Sequence, residues 1–101
     1  MDVIIQSLGF KAGAELENYI KEKLTKVEPL AANAVRADVT LFLGPESQTD
    51  NKHCEIRMEM AGADPFVKKN GETWELAVVD AVDTLQAQLR KAKEKMTDRR
   101  P

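Results

Sequence analysis

AVRADVTLFLGPESQTDNKHCEIRMEM, residues 34–60, is the stretch that decides the fold. In its first part Val35, Ala37, Val39, Leu41 and Leu43 alternate with Arg36, Asp38, Thr40 and Phe42. In its second, Cys54, Ile56, Met58 and Met60 alternate with His53, Glu55, Arg57 and Glu59. A period of two over this length is the pattern of a strand with one face buried and the other wet. Gly44-Pro45 stops the first run, and the polar stretch 46–52 is short enough to bring the second back antiparallel. Toward the N-terminus, residues 3–8 form a branched apolar run closed by Gly9, which predicts another strand. Between them Leu16, Tyr19, Ile20, Leu24 and Val27 recur at spacings of three and four until Pro29, which predicts a helix over 14–28. Toward the C-terminus, residues 61–65 turn the chain, 66–69 form a brief fourth strand, and Asn70-Gly71 breaks it. Thr73 offers an N-cap and Glu75 suits the first turn of a second helix, whose stripe is Val78, Val82, Leu85, Leu89, Ala92 and Met96.

The order β-α-β-β-β-α implies a parallel pair across the first helix and an antiparallel meander after it. Both helices then cover one face of a four-stranded mixed sheet. The expected class is α+β, a two-layer sandwich.

Length and composition bound the function. With 101 residues, 43% hydrophobic and 32% charged, the chain has room for one core, so 1–101 reads as a single soluble domain with a flexible tail in its last few residues. No apolar run approaches the roughly 20 residues of a membrane helix, and the first residues lack a signal-peptide pattern, so the cytosol is the expected location. The lone Cys54 and lone His53 are too few for an internal disulfide or a typical zinc site, so neither metal nor cofactor is expected. There is no phosphate-binding glycine loop, no G-x-S-x-G and no second histidine, which leaves catalysis and a small-molecule substrate without support. Cys54 falls on the apolar side of its strand and reads as core; His53 falls on the polar side with Glu55 and Glu59, whose alternation with Arg57 predicts cross-strand charge pairing.

Charge is unevenly spread. Residues 86–101 carry six basic side chains against two acidic ones, on a chain whose formal net charge is −2. A basic end on an acidic body can present a local positive field, although lysines near a helix C-terminus also simply complement its dipole. At 100° per residue, Lys91 and Lys95 share one flank of the second helix with Thr84 and Gln88, and Arg90 and Lys93 share the other with Gln86. On the first helix the same count sets Lys26 beside Tyr19 at the margin of the apolar arc and puts Lys23 within it, reaching water by snorkelling. If Lys23 and Lys26 face the basic flank of the second helix, one positive strip suited to a phosphate backbone results. Lys68 and Lys69, on a short strand, also have the simpler role of discouraging edge-to-edge pairing.

The run 83–95, DTLQAQLRKAKEK, resembles the second helix of the ribosome hibernation-promoting factor and ribosome-associated inhibitor family, with its D-x-L-x-x-Q-L-x-K-x-K pattern. Residues 16–28, LENYIKEKLTKVE, are similar to that family's first helix, with an aromatic followed by spaced lysines. The element order matches as well, and the resemblance spans essentially the whole chain. Ahead of the second helix, TWELAVV at 73–79 stands where the family shows D-M-Y-A-A-I-D, so the aromatic comes one place early and threonine replaces the acidic cap. Helix one starts at Ala12-Gly13, where the family tends to have a hydroxyl cap.

The resemblance implies a non-enzymatic stationary-phase stress factor, monomeric when free, that binds the small ribosomal subunit and its rRNA near the decoding centre. It would block the messenger and transfer-RNA channel by occupying it. The positions matching the family's basic residues are Lys23, Lys26, Arg90, Lys91, Lys93 and Lys95; Lys68, Lys69, Arg99 and Arg100 are candidates on charge alone. Ending at Pro101, the chain resembles the short forms without the added dimerising domain. Two other readings fit the residues: a double-stranded-RNA-binding module for another structured RNA, and a protein-interaction domain that uses the acidic body.

Overall fold

A computed structural model describes the backbone of residues 1–98 and the side chains of residues 1–93. The elements are β1 (Asp2–Leu8), α1 (Ala14–Leu24), a 3-10 segment (Thr25–Leu30), β2 (Ala34–Leu43), β3 (Lys52–Met60), β4 (Phe66–Gly71) and α2 (Trp74–Asp98). The sheet order is β1-β2-β3-β4, with β1 parallel to β2 and the remaining pairs antiparallel. This is the expected β-α-β-β-β-α sandwich.

Topology fixes how the helices run. Because α1 joins two parallel strands, it must travel against both; α2 follows β4, itself parallel to β1 and β2, and packs back along β4 and β3. The two helices therefore point the same way. Their N-termini share one pole, where Phe10 of the β1–α1 loop stacks on Trp74 at 4.4 Å. Their C-terminal ends share the other.

The core lies between this helix layer and one face of the sheet. Ala37, Val39 and Leu41 of β2 and Cys54, Ile56 and Met58 of β3 are buried under Ile20, Leu24, Val78, Val82 and Leu85. The alternation overstates the buried set at its ends. Val35 is 60% exposed because a register shift between Ala34 and Arg36 displaces it, and Leu43 is 47% exposed where β2 runs past the helices.

Two boundaries differ from the expectation. The first helix does not continue to residue 28: at Thr25 it tightens into the 3-10 segment, with Thr25 N–H and Oγ1 both donating to the Glu22 carbonyl. Pro29 lies inside that segment and has no N–H to sustain α-helical bonding. The fourth strand passes through Asn70-Gly71 instead of breaking there, since Asn70 pairs with His53 and its Nδ2 donates to the Asp50 carbonyl at 2.9 Å. Gly71 is needed at its place: a Cβ there would meet Ala77 N at 3.2 Å, where the first turn of α2 folds over it. The expected cap forms, with Leu76 N–H donating to Thr73 Oγ1 at 3.1 Å.

Candidate nucleic-acid interface

The side chain of Gln88 orients α2. Its Nε2 donates to the Phe66 carbonyl at 3.4 Å. Since Met58 N–H bonds the Pro65 carbonyl, antiparallel alternation turns the Phe66 carbonyl to the free edge of β4. The flank of Thr84, Gln88 and Lys91 therefore lies along the β4 edge, away from α1. Lys95 follows on that stripe by sequence, but its side chain, like Arg99 and Arg100, lies outside the described residues. The opposite flank, with Gln86, Arg90 and Lys93, faces α1 and the 3-10 segment.

The same geometry places α1. Parallel helices over one sheet face present equal angular offsets to the same side, and Tyr19 and Lys23 are offset from Ile20 in the sense that Gln88 is offset from Leu85. On α1 that side looks into the groove toward α2. Lys23 is half-buried, as its place within the apolar arc predicts, and its ammonium sits 5.2 Å from the centroid of the Tyr19 ring. Lys26 belongs to the 3-10 segment, so its angular place beside Tyr19 is lost, and it is exposed near the same pole. The strip envisaged from sequence is thus rearranged. Lys23 and Lys26 come together with the Arg90/Lys93 flank, whereas Lys91 is on the far side of α2.

The groove is electrically graded. Glu15 and Glu75 flank its upper end, at the helix N-termini, and the cations gather where the helices end, each sign matching the helix dipole. Leu89 is the last buried position described on α2; Arg90, Lys91 and Lys93 beyond it are exposed. Among the described residues Lys26, Arg90 and Lys91 have no ion-pair partner. The Glu22 carbonyl at the end of α1 is already engaged by Thr25 and does not confront an incoming anion. What this end can do chemically is hold a polyanion by charge.

Lys68 and Lys69 are separated by the pleat. Lys69 stands half-buried on the helix side of β4, and Lys68 points to the opposite face with its ammonium 5.9 Å from the Phe42 ring. Tyr19 is the residue that periodicity assigns only to the apolar stripe. Its spacing of four from Lys23 is the signal that pairs a ring with a cation on one helical face.

The cross-strand charge pairing expected on the helix-free face forms at Glu59, with Arg36, and not at Glu55 or Arg57. Arg36 bonds Asp38 at 3.1 Å and Glu59 at 3.4 Å, the latter across strands, while Arg57 bonds Asp64 at 2.9 Å and lies over Phe66. His53 stacks on Phe42 at 4.7 Å and approaches Gly44 so closely that a Cβ there would lie 2.7 Å from Nε2. Cys54 is fully buried, and burial, with the Glu55 charge adding to it, pushes its thiol up to about 12. Such a thiol stays protonated and unreactive near neutral pH. No group of three or more His, Cys, Asp or Glu among the described residues is arranged to hold a metal ion, and no helix is long and apolar enough to cross a membrane.

Comparison with known proteins agrees with this architecture. A ribosomal subunit interface protein from Coxiella burnetii superposes with a TM-score of 0.83 at 15% identity, covering 93% of this chain and 99% of that one. The N-terminal domain of Thermus thermophilus Protein Y superposes with a TM-score of 0.78 at 20% identity, covering 90% of this chain and 98% of that one. At these identities the likeness is one of fold. No curated protein sequence matches the chain. The family model described as sigma 54 modulation protein / S30EA ribosomal protein matches residues 3–97, nearly the whole of the sequence. The chain belongs to that family of non-enzymatic, ribosome-associated translation modulators.

Proposed function

We propose that the protein binds the small ribosomal subunit near the decoding centre and silences an idle ribosome by filling the channel for messenger and transfer RNA. The observation that carries this reading is the common direction of the two helices, which delivers Lys23, Lys26, Arg90 and Lys93 to one pole of an otherwise acidic molecule. Four cations gathered at one pole can meet neighbouring phosphates, and Lys91 extends the contact to the other flank of α2, the stripe to which the sequence also assigns Lys95. The mechanism is steric and needs no reacting group. Fold-level likeness to a subunit interface protein and to Protein Y supports the same reading.

Cosedimentation with ribosomes, isolated small and large subunits and an unrelated RNA duplex at about 0.15 M salt tests it. Pelleting with small subunits and not with the duplex is expected. Equal retention by the duplex would instead indicate a general double-stranded-RNA binder, and no retention by either would remove the RNA reading.

A further inference from the structure

The face of the sheet without helices has its own recess, separate from the basic pole. A shallow depression of about 370 Å³ crosses all four strands, lined by Ile4, Asp38, Thr40, Glu55, Arg57 and Phe66 among others. We propose that this depression docks an extended basic segment of another protein, with one lysine or arginine over Glu55 between apolar side chains resting on Ile4 and Phe66.

Uncommitted charge decides the sign of the partner. Both arginines on this face are engaged, Arg36 with Asp38 and Glu59, and Arg57 with Asp64 and the Phe66 ring. Lys68, opposite Glu55 across the β3–β4 pair, sends its ammonium toward Phe42 instead. Among the described residues the half-buried Glu55 carboxylate has no hydrogen-bond or ion-pair partner, and neither has the hydroxyl of Thr40, its neighbour on β2. The open valence of the floor is thus a carboxylate beside a hydroxyl, which suits a guanidinium or ammonium and repels a nucleic-acid phosphate.

Apolar contacts set the spacing. Ile4 is 50% exposed on β1 and Phe66 39% exposed on β4, at opposite edges of the sheet. Three strand spacings separate them by about 14 Å, the distance covered by four residues of an extended chain. The pairing register sets Ile4, Asp38, Arg57 and Phe66 in one row across the sheet and Thr40 and Glu55 in the next. A segment of pattern apolar-x-basic-x-apolar laid along the first row rests its outer side chains on Ile4 and Phe66, and its long central side chain reaches sideways over two residues of strand, about 7 Å, to Glu55.

The test uses the isotopically labelled full chain and the peptide acetyl-Leu-Ser-Arg-Ser-Leu-amide, followed by amide shifts, with a peptide bearing glutamate for arginine and a uridine hexanucleotide as comparisons. Shifts at Gln6, Thr40, Glu55 and Phe66 with the arginine peptide alone are expected, weakened roughly fivefold to tenfold in E55Q, the loss of one charge-assisted contact. Shifts confined to the helix pole, equal response to the glutamate peptide, or response of this face to the RNA instead would each overturn the proposal. The shift map of the unaltered protein decides the matter even if E55Q fails to fold. It is also independent of the proposed ribosome contact, which lies on the opposite layer.

Discussion

Cations on the two layers of this molecule are chemically alike and differently placed. On the helix-free face Arg36 and Arg57 are held by three carboxylates at 2.9 to 3.4 Å. At the pole where the helices end, Lys26 and Arg90 are exposed and have no ion-pair partner among the described residues. An arginine already paired must give up a bond to bind phosphate, whereas an unpaired one gives up only water and counterions. Net charge therefore says little about whether this protein binds a polyanion; the supply of uncommitted cations at one place says more.

The sharpest way to break that contrast is to reverse the pole. The pair Lys26→Glu and Arg90→Glu should reduce small-subunit association about a hundredfold or more at about 0.15 M salt, with the circular dichroism spectrum unchanged. The corresponding single alanines should each make the log-log salt dependence shallower by roughly 0.7 to 0.9 if the residue meets a phosphate. Applied to Lys91 as well, the slope measurement tells the groove flank from the β4-edge flank. Undiminished cosedimentation of the double reversal would mean that the pole is solvated helix end and nothing more.

The next largest effect is on stability and separates the layers by burial. Leu85, with no exposed surface, sits in the middle of the buried stripe of α2, so Leu85→Ala should cost about 2 to 5 kcal/mol in chemical denaturation. Ile4→Ala, on the open face and half-exposed, should cost less than about 1 kcal/mol. Equal costs would show that the open face is covered by something these residues do not reveal.

That same stripe explains what was legible beforehand. Leu85 and Leu89 announce themselves because a helix repeats its buried face every three or four residues, and Val39 and Ile56 because a strand repeats every two. Periodicity is local, and so is the capping hydroxyl of Thr73. The break at Thr25 and the continuation of β4 through Asn70 depend on what those residues meet in space, a carbonyl three back and Asp50 across a loop. So does the relation between helices. Angular counting sorts Lys91 from Arg90, but only the contact between Gln88 and the β4 edge says which flank looks at α1.

Cys54 offers a smaller effect with a definite sign. Its thiol is raised from 9.0 to about 12 by burial in the sheet core, with Glu55 adding to it. Below pH 9 both the folded and unfolded thiols are protonated and its contribution is fully present. Above that, the unfolded chain loses its proton first, so stability falls by up to about 1.4 kcal/mol per pH unit as pH rises toward 12. Between pH 9 and 11 Cys54→Ala should therefore lose less stability than the unaltered protein, measured by denaturant midpoint at each pH. Parallel curves would place the ionised thiol in contact with water.

The smallest expected effect completes the contrast between layers. Arg36 lies 44% exposed by side chain and its pairs with Asp38 and Glu59 are open to solvent, so Arg36→Ala should change stability by no more than about 1 kcal/mol. Part of even that should vanish at 1 M salt, where the screening length falls to about 3 Å. Ribosome association should stay as it is or weaken only slightly, because the substitution removes a cation remote from the contact proposed at the helix pole and leaves the groove untouched. A clear loss of association at unchanged stability would bring this paired arginine into the interface, and the division between committed and uncommitted cations would then fail as a guide to where this protein touches the ribosome.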